Sequence, residues 1–148
     1  MVPKISLGMI QDCLGYVTTV WFGKHDLSAD PMSEYDSDIE DMRRYAIRRD
    51  NLIYLKLGFE YILGGGAFED RLYEQLSGEC WDFDKEELLE IMMYIYSVIW
   101  SEGKKPEINR VPKIDLIHMS RTSSALSEWD VKKYEFNPGF DESKIEYV

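Results

Sequence analysis

Chemically reactive side chains are scarce in this chain. Two cysteines, Cys13 and Cys80, and two histidines, His25 and His118, are all that 148 residues provide. No CxxC or HxxxH pairing is present, so a zinc site would have to collect these four side chains from distant positions, and no metal or cofactor is expected. Two unpatterned thiols in a reducing compartment are expected to stay free and buried. No serine stands in a GxSxG context, and neither cysteine has a local activating signature. Bases are also in deficit, with 17 Lys and Arg against 28 Asp and Glu and a net charge of −11. Such a surface repels phosphates and anionic lipid and attracts basic partners, so neither direct nucleic-acid binding nor membrane binding is expected. No apolar run reaches the roughly 20 residues that span a bilayer. The opening MVPKISLGMIQDCLGYV has Asp12 inside its apolar part, unlike a secretory leader, so the expected location is cytoplasmic.

What the chain does hold is core-forming material: 45% hydrophobic and 14% aromatic residues. That composition fits one globular domain over 1–148, with a partly mobile tail from about 137. The clearest element is Asp84 to Ser101. Leu88, Ile91, Met92, Ile95, Val98 and Ile99 follow helical spacing, and Met93, Tyr94, Tyr96 and Trp100 fill the other faces. Asp84 and Glu87 make a capping box, Glu86 and Glu87 complement the helix dipole, and Gly103 and Pro106 end the helix. The expected fold is mainly α: four to five helices around a central buried helix 84–101, with a minor β element. The alternative is α+β.

Elsewhere the spacing predicts a helix over 5–17 and, from β-branched and aromatic content, a short strand over 17–22. A helix beginning near Asp38 runs on without punctuation. Residues 51–63 carry both a period-two alternation and the helical stripe Leu52, Leu55, Phe59, Ile62, and helix is preferred. Gly64-Gly65-Gly66 reads as a joint between helices, because no Lys-Ser/Thr follows it and Glu69 and Asp70 occupy the turn where an anion would bind. A short amphipathic helix over 67–76 and a short strand within 113–119 complete the elements.

The chemistry-bearing patterns have plain rivals. Arg43, Arg44, Arg48 and Arg49 suggest a phosphate clamp but read better as a solvated face neutralised by the acids before them. The run DSDIED, Asp36 to Asp41, lacks the glycine and terminal glutamate of a calcium loop. His25 and His118 are a conceivable acid–base pair, set in a field of the wrong sign for phosphate chemistry. Two stretches combine aromatics with carboxylates as a protein-binding surface would. One is Glu79, Trp81, Asp82, Phe83, Asp84, Glu86 and Glu87; the other is Tyr35, Asp36, Asp38, Glu40 and Asp41.

In general character, the small size, the charge and these acid–aromatic patches look similar to bacterial toxin-immunity proteins. The functional expectation is therefore a non-enzymatic acidic inhibitor that binds a basic toxin or nuclease partner directly. The alternatives are a nucleic-acid mimic or phage anti-defence protein, and a small enzyme or ligand-binding domain using His25 and His118.

Overall fold

A computed structural model describes residues 2–23, 32–66, 85–117, 137 and 139–148. Among them are four α-helices and a two-stranded parallel sheet, a mainly α architecture with a minor β element. The order is β1 (Lys4–Ser6), α1 (Leu7–Gly23), a 3-10 turn (Met32–Tyr35), α2 (Asp36–Arg48), α3 (Leu52–Leu63), α4 (Lys85–Trp100), β2 (Asp115–Ile117) and a 3-10 turn (Glu142–Lys144).

The core forms where the apolar stripes of the four helices meet. Ile10, Leu14 and Val17 of α1, Ile39, Met42 and Ala46 of α2, Leu55 and Phe59 of α3, and Ile91, Met92 and Ile95 of α4 are all fully buried. Each of these side chains larger than alanine contributes about 1.5–3 kcal/mol when removed from water. Helix α2 packs against each of the other three, and α4 lies on α2 and α3. The contact between α1 and α3 is unusually close at Gly58, where a Cβ would stand 2.6 Å from Ile10 Cδ1.

Residues 17–22 are not a strand. Helix α1 continues through them to Gly23. Val17 faces the core on the same stripe as Ile10 and Leu14, and Thr18 returns its hydroxyl to the Leu14 carbonyl at 3.1 Å. Burial of the helical stripe outweighs the β preference of Val17 and Thr18, and the back-bonded hydroxyl is satisfied without leaving the helix. The sheet is made instead by β1 and β2, in register Lys4 with Asp115, Ile5 with Leu116 and Ser6 with Ile117. Residues 113–119 thus supply a strand as expected, at Asp115–Ile117, whereas Ile5 lies inside β1 and the helix expected from residue 5 begins at Leu7.

The long helix expected from Asp38 onward is cut in two. Asp50 takes a left-handed φ of 59°. Its amide donates to Ile47 O at 3.0 Å, and that of Asn51 donates to Ala46 O at 2.8 Å. This is the Schellman closure, with aspartate where glycine is usual. The same closure ends α3. Gly65 has φ 88°, and Gly66 N–H donates to Tyr61 O at 2.9 Å. Residues 51–63 are thereby settled as helix.

The tail packs back on the body. Lys113 N–H donates to Glu146 O and Val148 N–H to Val111 O, both at 2.8 Å, around an antiparallel bridge between Pro112 and Tyr147. The side-chain amide of Asn137 both donates to and accepts from the Lys4 backbone, occupying the β1 edge at that residue.

Candidate functional site

Helix periodicity divides the acidic run of α2. At 100° per residue, Asp36, Glu40, Arg43 and Ile47 share one flank, while Asp38 and Asp41 share the opposite flank with Tyr45. The neighbours of each flank differ accordingly. Tyr45 meets α1, with its hydroxyl donating to Asp12 and its ring 5.0 Å from that of Tyr16. Asp36 meets α4, where Tyr94 Oη donates to Asp36 Oδ1 at 2.5 Å.

That last contact assembles the candidate surface. Tyr94 and Glu90 are i, i+4 neighbours on α4, and Glu87 precedes Glu90 by one turn on the same stripe. Asp36, Glu86 and Glu90 are exposed, whereas Glu87 is half-buried. The Tyr94–Asp36 bond therefore ties the acidic start of α2 to the acidic stripe of α4. Each carboxylate at a first turn is also favoured by the helix dipole: Asp36 and Asp38 in α2, Glu86 and Glu87 in α4. The Tyr94 phenol is pushed up to about 12, first by burial and then by its hydrogen bond to Asp36. It remains a neutral donor throughout the physiological range.

Of the twelve residues the sequence nominates for partner contact, Glu79, Trp81, Asp82, Phe83 and Asp84 lie outside the described residues, as do His25 and His118. Tyr35 is fully buried, so its ring belongs to the core and not to an aromatic surface. It enters the core because the turn Met32–Tyr35 lies against α1 and α2. Glu40 is engaged within its own helix. Arg43 binds its two carboxylate oxygens at 2.8 and 2.6 Å, and Arg44 approaches at 3.3 Å. The Arg43 hydrogen bond is the first cause of its lowered pKa. The structure joins Asp36 to α4 through Tyr94, keeps Glu86 and Glu87 in the first turn of α4, and leaves Asp38 and Asp41 on the other flank of α2. Glu90 and Tyr94 were missed by sequence reasoning. Only the i, i+4 spacing hinted at that pair, and nothing local connects Tyr94 to a residue 58 positions earlier.

Two buried polar clusters were also missed. Asp12 and Tyr45 pair between α1 and α2, beside Cys13, with the Arg49 guanidinium 5.4 Å from the Tyr45 ring centroid. Cys13 is free and buried, and burial pushes its thiol up to about 12, a protonated and unreactive state. The second cluster centres on Glu60 of α3, which accepts from Tyr96 Oη at 3.2 Å and Tyr147 Oη at 3.3 Å, with Lys56 Nζ at 3.9 Å. Burial is the first cause of the raised pKa of both phenols, and Glu60 adds to it.

The glycine run is not a phosphate cradle. The amides of Gly64, Gly65 and Gly66 all donate to carbonyls of α3, those of Glu60, Ile62 and Tyr61. Among the described residues no group of three or more His, Cys, Asp or Glu side chains is placed to hold a metal ion. No described helix is long and apolar enough to cross a membrane. A pocket between Pro3 and Phe140, Asp141, Lys144 and Ile145 has a volume of about 60 Å³, well below the roughly 300 Å³ at which small-molecule sites begin. Comparison with protein-family models, with curated proteins and with solved structures gives no match to this chain.

Proposed function

We propose that this chain is a small acidic binding protein of the cytoplasm that neutralises a basic protein partner, of the immunity type, by covering its functional surface. The observation that supports this most is the α2–α4 contact, where Tyr94, one helical turn from the exposed Glu90, donates to the exposed Asp36, on a helix whose first turn carries the exposed Glu86. Carboxylates fixed on helices need little reordering on association, so more of their attraction to a basic surface is retained. The net charge of −11 adds long-range steering toward such a partner. Tyr94, half-buried beside these acids, offers an aromatic contact of the kind that anchors interfaces.

The test is capture of a partner from the native host at low ionic strength, followed by kinetics. The expected result is a basic protein whose association rate falls steeply with salt. Reversing the charge at Asp36, Glu86 and Glu90 together should slow association by about tenfold or more while leaving the fold intact. A partner that binds the triple reversal at the original rate places the interface elsewhere. Absence of any basic partner at low salt defeats the proposal.

A further inference from the structure

The segment that closes over Glu60 is fastened differently from the rest of the molecule. The helical body is held by fully buried apolar side chains. Residues 145–148 contribute little of that kind: Ile145 and Tyr147 are half-buried, Glu146 is exposed, and Val148 is 78% exposed. Ile145 packs at the margin of the apolar core, and the rest of the fastening is polar. Two backbone hydrogen bonds join Glu146 and Val148 to Lys113 and Val111. The Arg110 guanidinium sits 4.7 Å from the Tyr147 ring centroid. The Tyr147 hydroxyl takes one oxygen of Glu60, while Tyr96, from within the helical body, takes the other.

We infer that residues 145–148 form a latch that opens on its own while the helices stay folded, with the Tyr147–Glu60 hydrogen bond as its catch. A two-stranded pairing this short has little stability of its own, so the side-chain catch decides how often it opens. A hydrogen bond to a carboxylate away from bulk water gains from the charge, and this one, at 3.3 Å, is the hydrogen bond that ties the segment to α3. Opening leaves the body's own contact with Glu60 in place, because Tyr96 Oη remains on Oε1. It uncovers Glu60 Oε2 and the backbone of Val111 to Lys113, a free edge beside a carboxylate.

Native-state hydrogen exchange on the whole chain tests this. The amides of Lys113 and Val148 report on the latch, and the Leu55 amide, bonded to Asn51 O at 2.8 Å, reports on the body. The two latch amides are expected to exchange together and faster than Leu55. Tyr147→Phe should accelerate them about tenfold, the factor that loss of one hydrogen bond to a charged group corresponds to, with Leu55 unchanged. Arg110→Ala should act in the same direction by a smaller factor. Latch amides that exchange at the Leu55 rate in the unaltered chain would overturn the inference. So would latch amides that Tyr147→Phe leaves unchanged, or a Tyr147→Phe variant that accelerates Leu55 equally.

Discussion

Replacing Gly58 by alanine sets two effects of known size against each other. Gly58 lies inside α3, where alanine gains about 1 kcal/mol of helix propensity. An alanine Cβ would stand 2.6 Å from Ile10 Cδ1 and 3.2 Å from Ile10 Cγ1, against the roughly 3.5–4.0 Å at which carbon atoms pack best. Ile10 is fully buried between the helices, so it has no solvent side to retreat to. Overpacking of this kind costs about 1–3 kcal/mol. The net expectation for Gly58→Ala is a change between zero and about 2 kcal/mol, destabilising. Ile10→Val deletes the clashing Cδ1 and by itself should cost about 0.5–1.5 kcal/mol. In the double variant the new methyl fills the space the old one left, and only the milder 3.2 Å approach to Cγ1 still opposes the propensity gain. The pair should therefore be more stable than the sum of the two single changes by about 1 kcal/mol or more. Urea unfolding followed by circular dichroism measures all three, with an unchanged denaturant slope as the control for compactness. A Gly58→Ala variant stabilised by its full propensity gain, with no coupling to Ile10, would refute the close crossing of α1 and α3.

Three further outcomes are expected. Glu102 follows α4 at a left-handed φ of 54°, and Glu102→Gly should raise stability by about 0.5–1 kcal/mol, relief of the side-chain strain being partly offset by the added freedom of the unfolded chain; chemical denaturation decides it. At high pH the folded state should weaken because the Tyr94 phenol titrates at about 12 when folded against its ordinary 10.0, and Tyr45, Tyr96 and Tyr147 are raised as well. The sign follows from a raised folded pKa: the contribution is complete below 10, falls as pH rises toward 12, and phenolate absorbance should appear together with loss of helical signal. Cys13 should be unreactive toward a thiol reagent at neutral pH in a Cys80→Ser background, since burial holds it as a neutral thiol; rapid labelling in the folded protein would contradict its placement.

What could be read in advance follows from the range of the forces involved. The stripe Leu88, Ile91, Met92 and Ile95 announced α4 because helical periodicity is local, and Gly103 marked its end and does take a positive φ, 79°. Val17 to Phe22 misled because intrinsic β preference is a weak term and the buried side of α1 overrides it. The stop at Asp50 was hidden because aspartate enters the left-handed region less readily than glycine, so no residue type signals it. Of the proposed contact surface, Glu86, Glu87 and Asp36 were legible as acids at helix starts. The bond from Tyr94 to Asp36 and the loss of Tyr35 to the core were not, since they depend on which elements face each other.

The parallel pair β1–β2 has a kinetic consequence. Its strands come from near the start of the chain and from beyond α4, and the Asn137 amide that seals the β1 edge is 133 residues from Lys4. Helices α2 and α3 are adjacent in sequence and joined by a tight turn, so they can find each other early. The sheet must wait, because closing so long a loop costs entropy before any strand bond repays it. Folding should therefore run from the helices outward, with the few strand bonds forming last and setting the pace at which the chain reaches its final state.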